Sequence, residues 1–227
     1  MKNKKLAIMI ASLVLIASLV IGGTIAYLTD SDTATNTITV GDVEIGLEEP
    51  NWDDTTDGKD LVPGDTMVKD PIVTALEGES YMRVVLSFYD TATNSLITDT
   101  DRIALILETI YFDATYDVAT QTPGTGIVAG TSYSLADLAA FAQVNPDFTF
   151  DTTRVADAGI RYYNYNGIFS TANGDETVLF TNLVIPTDYT SADVELLGNF
   201  EIRIVAEAIQ ATNFADATAA FIALDAA

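Results

Sequence analysis

Hydrophobic and polar positions alternate with a period of two along much of this chain, which predicts strands with one buried and one wet face. Over residues 81–89, Met82, Val84, Leu86 and Phe88 share one face while Arg83 and Ser87 share the other. Toward the C-terminus, Phe200, Ile202, Ile204, Ala206 and Ala208 alternate with Glu201, Arg203, Val205 and Glu207. Between these, residues 161–165, 167–169 and 177–180 read as short strands punctuated by the turn formers Asn166-Gly167 and Asn173-Gly174. Short strands with turns at regular spacing predict an all-β sandwich.

Helices are expected only as decorations. Ser134 and Asp137 form a capping pair ahead of Leu135, Leu138, Ala139 and Ala142, with a stop at Asn145-Pro146. A second helix is predicted from Asn213, with Phe214, Ala217, Phe221 and Leu224 on one stripe. Residues 101–111 are β-branched enough for a strand, but Ile103, Ile106, Leu107 and Ile110 are spaced for a helix, the reading adopted.

The alternation slips near the N-terminus. Ile38 and Val40 sit at even positions, whereas Val43, Ile45 and Leu47 sit at odd ones, so Gly41-Asp42 must hold a bulge, a bend or a break. One bent strand accommodates the slip. The alternative is a separate arm from Leu28 to Val40, kept from folding alone by Asp30, Asp32 and its many threonines. Extended at about 3.3 Å per residue, such an arm reaches roughly 43 Å, enough to lie along a neighbouring subunit. An arm that adds a strand to the next copy is held by backbone hydrogen bonds and registered by alternate side chains. Because arm and acceptor occupy different places on one subunit, the contact runs head to tail and builds a filament.

Ahead of the arm, Lys2, Lys4 and Lys5 precede an apolar run over residues 6–21 and then Gly22-Gly23-Thr24. A positive start, an apolar middle and small residues make a secretory signal, with cleavage expected near Ala26, Tyr27 and Leu28. The alternative is an uncleaved anchor, since residues 6–28 exceed the roughly 20 needed to span a bilayer as a helix; Gly22-Gly23 would weaken the end of that helix. The chain thus divides into a signal peptide over 1–27, an extended arm over 28–40 and a β-sandwich domain over 41–227.

All 33 Asp and Glu lie beyond the leader against seven Lys and Arg, a charge of −26. With those seven cations scattered, nucleic acid is not an expected partner. No Cys and no His are present, which excludes Ser-His-Asp and Cys-His nucleophiles and the HExxH zinc site. Paired carboxylates alone could serve a glycosidase, yet among so many acids some pair matches any spacing. No enzyme activity and no cofactor are therefore expected. Calcium is a weaker expectation, resting on Asp53, Asp54, Asp57 and Asp60 in one loop, where Gly64 stands in place of the bidentate Glu of an EF-hand. Trp52 in the same loop reads as a packing anchor, and Tyr162, Tyr163 and Tyr165 as strand packing with one exposed ring.

Several segments together resemble one family. Gly22-Gly23-Thr24-Ile25-Ala26-Tyr27-Leu28-Thr29-Asp30 and Thr35-Asn36-Thr37-Ile38-Thr39-Val40-Gly41-Asp42-Val43-Glu44-Ile45 are similar to the leader and mature start of the TasA/camelysin proteins. So are Glu49-Pro50-Asn51-Trp52-Asp53, Leu61-Val62-Pro63-Gly64-Asp65, Lys69-Asp70-Pro71, residues 162–169, Phe180-Thr181-Asn182-Leu183-Val184-Ile185-Pro186 and residues 206–211. The resemblance implies a jelly-roll-like β-sandwich, exported to the surface of a Gram-positive bacterium through a SipW-type signal peptidase. It further implies a structural subunit of biofilm matrix fibres, a homopolymer in which the arm of one copy, with Leu28, Ile38 and Val40, completes the sheet of the next. Other fibre or anchoring subunits are the further partners it implies. A camelysin-like secreted metallopeptidase and a non-polymerising surface adhesin or fibre accessory are the alternatives; with no His for zinc, peptidase activity is not carried over to this chain. No LPxTG-like motif occurs, so covalent wall attachment is not expected.

Overall fold

A computed structural model describes residues 38–40, 43–53, 57–154 and 158–226. Strands β1 (Ile38–Val40), β2 (Glu44–Glu48), β3 (Thr66–Val68), β4 (Ile72–Glu77), β5 (Glu79–Asp90), β6 (Ser95–Leu96) and β7 (Ile110–Tyr111) come first. Then follow β8 (Phe148–Phe150), β9 (Ile160–Tyr165), β10 (Phe169–Ser170), β11 (Glu176–Val178), β12 (Asn182–Val184) and β13 (Phe200–Gln210). The helices are α1 (Thr100–Leu107), α2 (Leu135–Leu138), α3 (Ser191–Leu197) and α4 (Ala217–Asp225). The all-β expectation holds, and among the described residues no helix is long and apolar enough to cross a membrane.

The large sheet runs β1-β13-β5-β9-β8, with β6 and β10 as short additions to β5. Its centre is the alternating segment read from sequence: Met82, Val84, Leu86 and Phe88 of β5 are wholly buried, beside Ala206 and Ala208 of β13. Opposite lie two three-stranded ladders, β11-β4-β2 and β3-β12-β7. They are halves of one curved sheet. Lys69 N donates to Thr181 O at 3.0 Å and Leu179 N to Pro71 O at 3.4 Å, so the antiparallel pairing of β3 with β12 passes into that of β4 with β11. Pro71 has no N–H to give, and the ladder bends there. Val43, Ile45, Val73, Leu183 and Ile185 face the large sheet across one continuous core.

The parity slip between Val40 and Val43 has a topological cause. β1 belongs to the large sheet and β2 to the opposite one, so the chain changes layers between them rather than bulging within one strand. Residues 41–42 lie outside the described residues. A separate irregularity does occur, three residues later, between Glu44 and Ile45 where β2 meets β4.

The helices are shorter than their patterns predict. The Ser134–Asp137 capping box is present, but α2 ends at Leu138 instead of reaching Asn145. In residues 101–111 both readings find a place, because α1 closes at Leu107 and β7 begins at Ile110. The last helix starts at Ala217, capped by the Asp216 carboxylate accepting from Ala219 N, and not at Asn213.

Candidate functional site

β13 lies next to the border of the large sheet. On its inner side β5 pairs antiparallel with it at every position from Phe200 to Gln210. On its outer side β1 pairs in parallel at three positions, Ile38 with Glu207, Thr39 with Ala208 and Val40 with Ile209. Ile38 and Val40, two of the three predicted arm residues, thus sit at β13's outer border. Leu28 and the cleavage residues Ala26 and Tyr27 lie outside the described residues.

The other face of the large sheet is where the sequence reading needs correcting. Alternation assigned Arg83 to water, yet it is buried, because α4 lies across that face. Arg83 Nη2 is 2.7 Å from Asp225 Oδ1, its Nε bonds to Glu207, and its guanidinium stacks 4.4 Å from the Phe221 ring and 4.9 Å from Tyr162. Arg154 also pairs with Asp225 and lies 5.0 Å from Tyr162. Burial and then the charge of Arg83 hold the Arg154 guanidinium below its ordinary pKa. Around this cluster Ile209, Ala220 and Phe221 are buried, with Tyr81, Phe214 and Leu224 packed against them. Two cations and two carboxylates under one helix form a latch, and removing one partner of such a pair strands a buried charge.

A second cluster explains why the resembling motifs occur together. Lys69 Nζ reaches Glu49 Oε1 at 2.7 Å and lies 4.1 Å from the Trp52 ring. The buried Asp70 carboxylate accepts from Asn51 Nδ2 at 2.7 Å and from the Tyr116 hydroxyl at 2.5 Å. Burial first, then the bond to Asp70, raises the Tyr116 pKa, keeping that proton on the phenol. Gly64 N donates to Ile185 O at 2.7 Å, and Asp65 accepts from Val62 N at 2.8 Å. These residues clasp the bend at Pro71 to the strands beside it. Trp52 is part of that clasp, in keeping with its reading as a packing anchor. Tyr163 is buried and Tyr165 packs on Phe148 and Phe169, while Tyr162 belongs to the latch.

Two of the acidic loop's four aspartates bond to each other. Asp53 N donates to Asp57 Oδ2 at 2.8 Å and Asp57 N to Asp53 O at 2.8 Å, while Asp54 lies outside the described residues. Near β7 a cleft of about 340 Å³ is lined by Phe112, Asp113, Thr115, Phe141 and Pro146. Burial pushes the Asp113 carboxyl up, but hydrogen bonds from Ile127, Thr115 and Gly126 together outweigh it and leave the pKa lowered. That carboxylate is a fastener for the turn over Gly124 and Gly126, where an added Cβ would come within 3 Å of its oxygens.

Residues 1–93 match the sequence model of the family described as Camelysin metallo-endopeptidase. The match supports the family resemblance and corrects the expectation that the chain has no enzyme activity, since the family is by description one of peptidases. No curated protein matches the chain. The description implies a metal, and the described residues do not fit one. They bring no three His, Cys, Asp or Glu side chains together, and the buried carboxylates Asp70 and Asp113 already accept hydrogen bonds from Asn51, Tyr116, Thr115, Gly126 and Ile127.

Proposed function

We propose that the chain is a secreted structural subunit of extracellular matrix fibres, assembled head to tail when the arm of one copy pairs with the sheet of the next. The observation that carries this reading is β13's outer border, which takes a parallel strand from the arm at Glu207, Ala208 and Ile209. In an arm docked from a neighbour, the same register continued toward the N-terminus would set position 31 opposite Phe200. A ten-residue strand, 31–40, would then match β13 along almost its whole length. A strand seated by three pairs on its own subunit can exchange for the same strand from a neighbour, because both make the same bonds. The large negative charge supports a surface role, since it keeps free subunits soluble.

The test compares the chain beginning at residue 28 with one beginning at residue 41, by size-exclusion chromatography and electron microscopy. Fibres from the longer form alone are expected. Two forms that stay equally monomeric under all conditions would end the reading.

The family match favours a second reading, a secreted peptidase. Casein cleavage by recombinant protein, abolished by a chelator and restored by added zinc, is the result expected of it; intact casein throughout would remove it.

A further inference from the structure

On the face of the large sheet away from the core, α4 packs on the end of β13, where Ala220 and Phe221 meet Ile209. In a sheet, residues in register share a face. Ile38 is in register with Glu207 and Val40 with Ile209, so positions 38 and 40 belong to the face that α4 covers, and position 39, opposite the core residue Ala208, to the other. On α4's side Ile209 packs with Ala220 and Phe221, and Glu207 is tied through Arg83 to Asp225 at the helix end. The helix has more apolar surface than the sheet uses. Ala217, Ala219, Ala220, Phe221, Ile222, Ala223 and Leu224 make it apolar almost all round, a composition that belongs to buried helices, yet Ile222 is 59% exposed.

We propose that α4, fastened by the Arg83–Asp225 bond, is one wall of the acceptor site, so that the arm is recognised at positions 38 and 40 by the helix as well as by backbone pairing along β13. This rests on the reading of β13's border as the place where an arm docks. Added strands owe affinity to the backbone and selectivity to alternate side chains. The arm's β-branched residues at 38 and 40, with Thr37 and Thr39 between and before them, supply that alternation. Asp225 holds both Arg83 and Arg154, so losing its charge frees the end of the helix and loosens the wall without touching the border strand.

Hydrogen exchange by mass spectrometry on the chain lacking residues 1–27, which keeps the compact unit Thr37–Ala227 whole, tests this. In Asp225→Asn the amides of 38–40 are expected to exchange about tenfold faster together with those of α4, while those of β5 keep their rates. Coupling is reciprocal, so Val40→Asp is expected to speed exchange in α4. If Asp225→Asn does not fold, Val40→Asp decides alone. Unprotected 38–40 in the unmodified chain, or rates at 38–40 that ignore a loosened α4, would overturn the proposal. Electron microscopy of the same samples separates the two ideas. Coupled exchange without fibres removes the polymer and leaves the wall, whereas fibres without coupling remove the wall and leave the polymer.

Discussion

The two borders of β13 are held by different means. Toward β5 all eleven residues of the strand are paired, and the partner strand carries Met82, Val84, Leu86 and Phe88 into the core. Toward β1 three residues pair, in parallel, on a segment whose successor in the chain, β2, belongs to the opposite layer. At about 0.5–1.5 kcal/mol net per hydrogen bond, the outer ladder is worth at most a few kcal/mol, within reach of local opening. The inner ladder adds core burial to its hydrogen bonds and opens only with the whole fold. One strand can therefore have a permanent neighbour on one side and the docking border we propose on the other, because burial and not pairing decides which neighbour is permanent.

The strongest way to break this contrast is Phe88→Ala on the inner side. It leaves a cavity in the core and is expected to cost about 3–5 kcal/mol in urea unfolding; a loss below about 1 kcal/mol would show that the inner border is not where stability lies. Arg83→Ala comes next, at about 3 kcal/mol, because it leaves Glu207 and Asp225 under α4 with one cation between them. Thr39→Pro strikes the outer border, removing a backbone donor from β1. Less than about 1 kcal/mol of unfolding free energy should be lost, with fibre formation suppressed. Equal losses for Phe88→Ala and Thr39→Pro would erase the distinction between the borders.

The smallest effect is expected from acid at the far end of the inner ladder, where Asp90 pairs with Phe200. Bonds first from Arg102 and then from Thr93 lower the Asp90 pKa from 3.8 to about 2. A carboxyl depressed on folding stabilises the fold above its unfolded pKa, and that contribution fades as pH falls from near 4 through about 2. Arg102 also donates to Leu197 O and Asn199 O, so the loss should loosen the joint between α1 and the start of β13. In Asp90→Asn this part of the pH dependence of melting should disappear; an unchanged acid limb would assign it to other carboxylates.

Strand positions were legible wherever one face meets a core and the other meets water, as at Met82 to Phe88, because alternation is written into neighbouring residues. The slip at Gly41-Asp42 was legible as well, but its meaning was not: a bulge and a change of layer leave the same mark in sequence. Arg83 was misread for a related reason. Its own strand carries no sign that a helix more than 130 residues later covers it. Lys69, Asp70, Asn51 and Tyr116 stood out only as parts of a resemblance or not at all, since their hydrogen bonds join segments distant in the chain.

By itself the sequence determined the fold class, the caps at Ser134 and Asp137, and a discontinuity after Val40, all properties that a few adjacent residues express through backbone geometry and hydrophobic period. Only the tertiary structure decided which strand borders which, that two short ladders form one sheet bent at Pro71, and that α4 covers Arg83 and packs on Ile209. These depend on contacts between remote segments, where the burial gained by closing long loops chooses among arrangements that local pattern leaves equal.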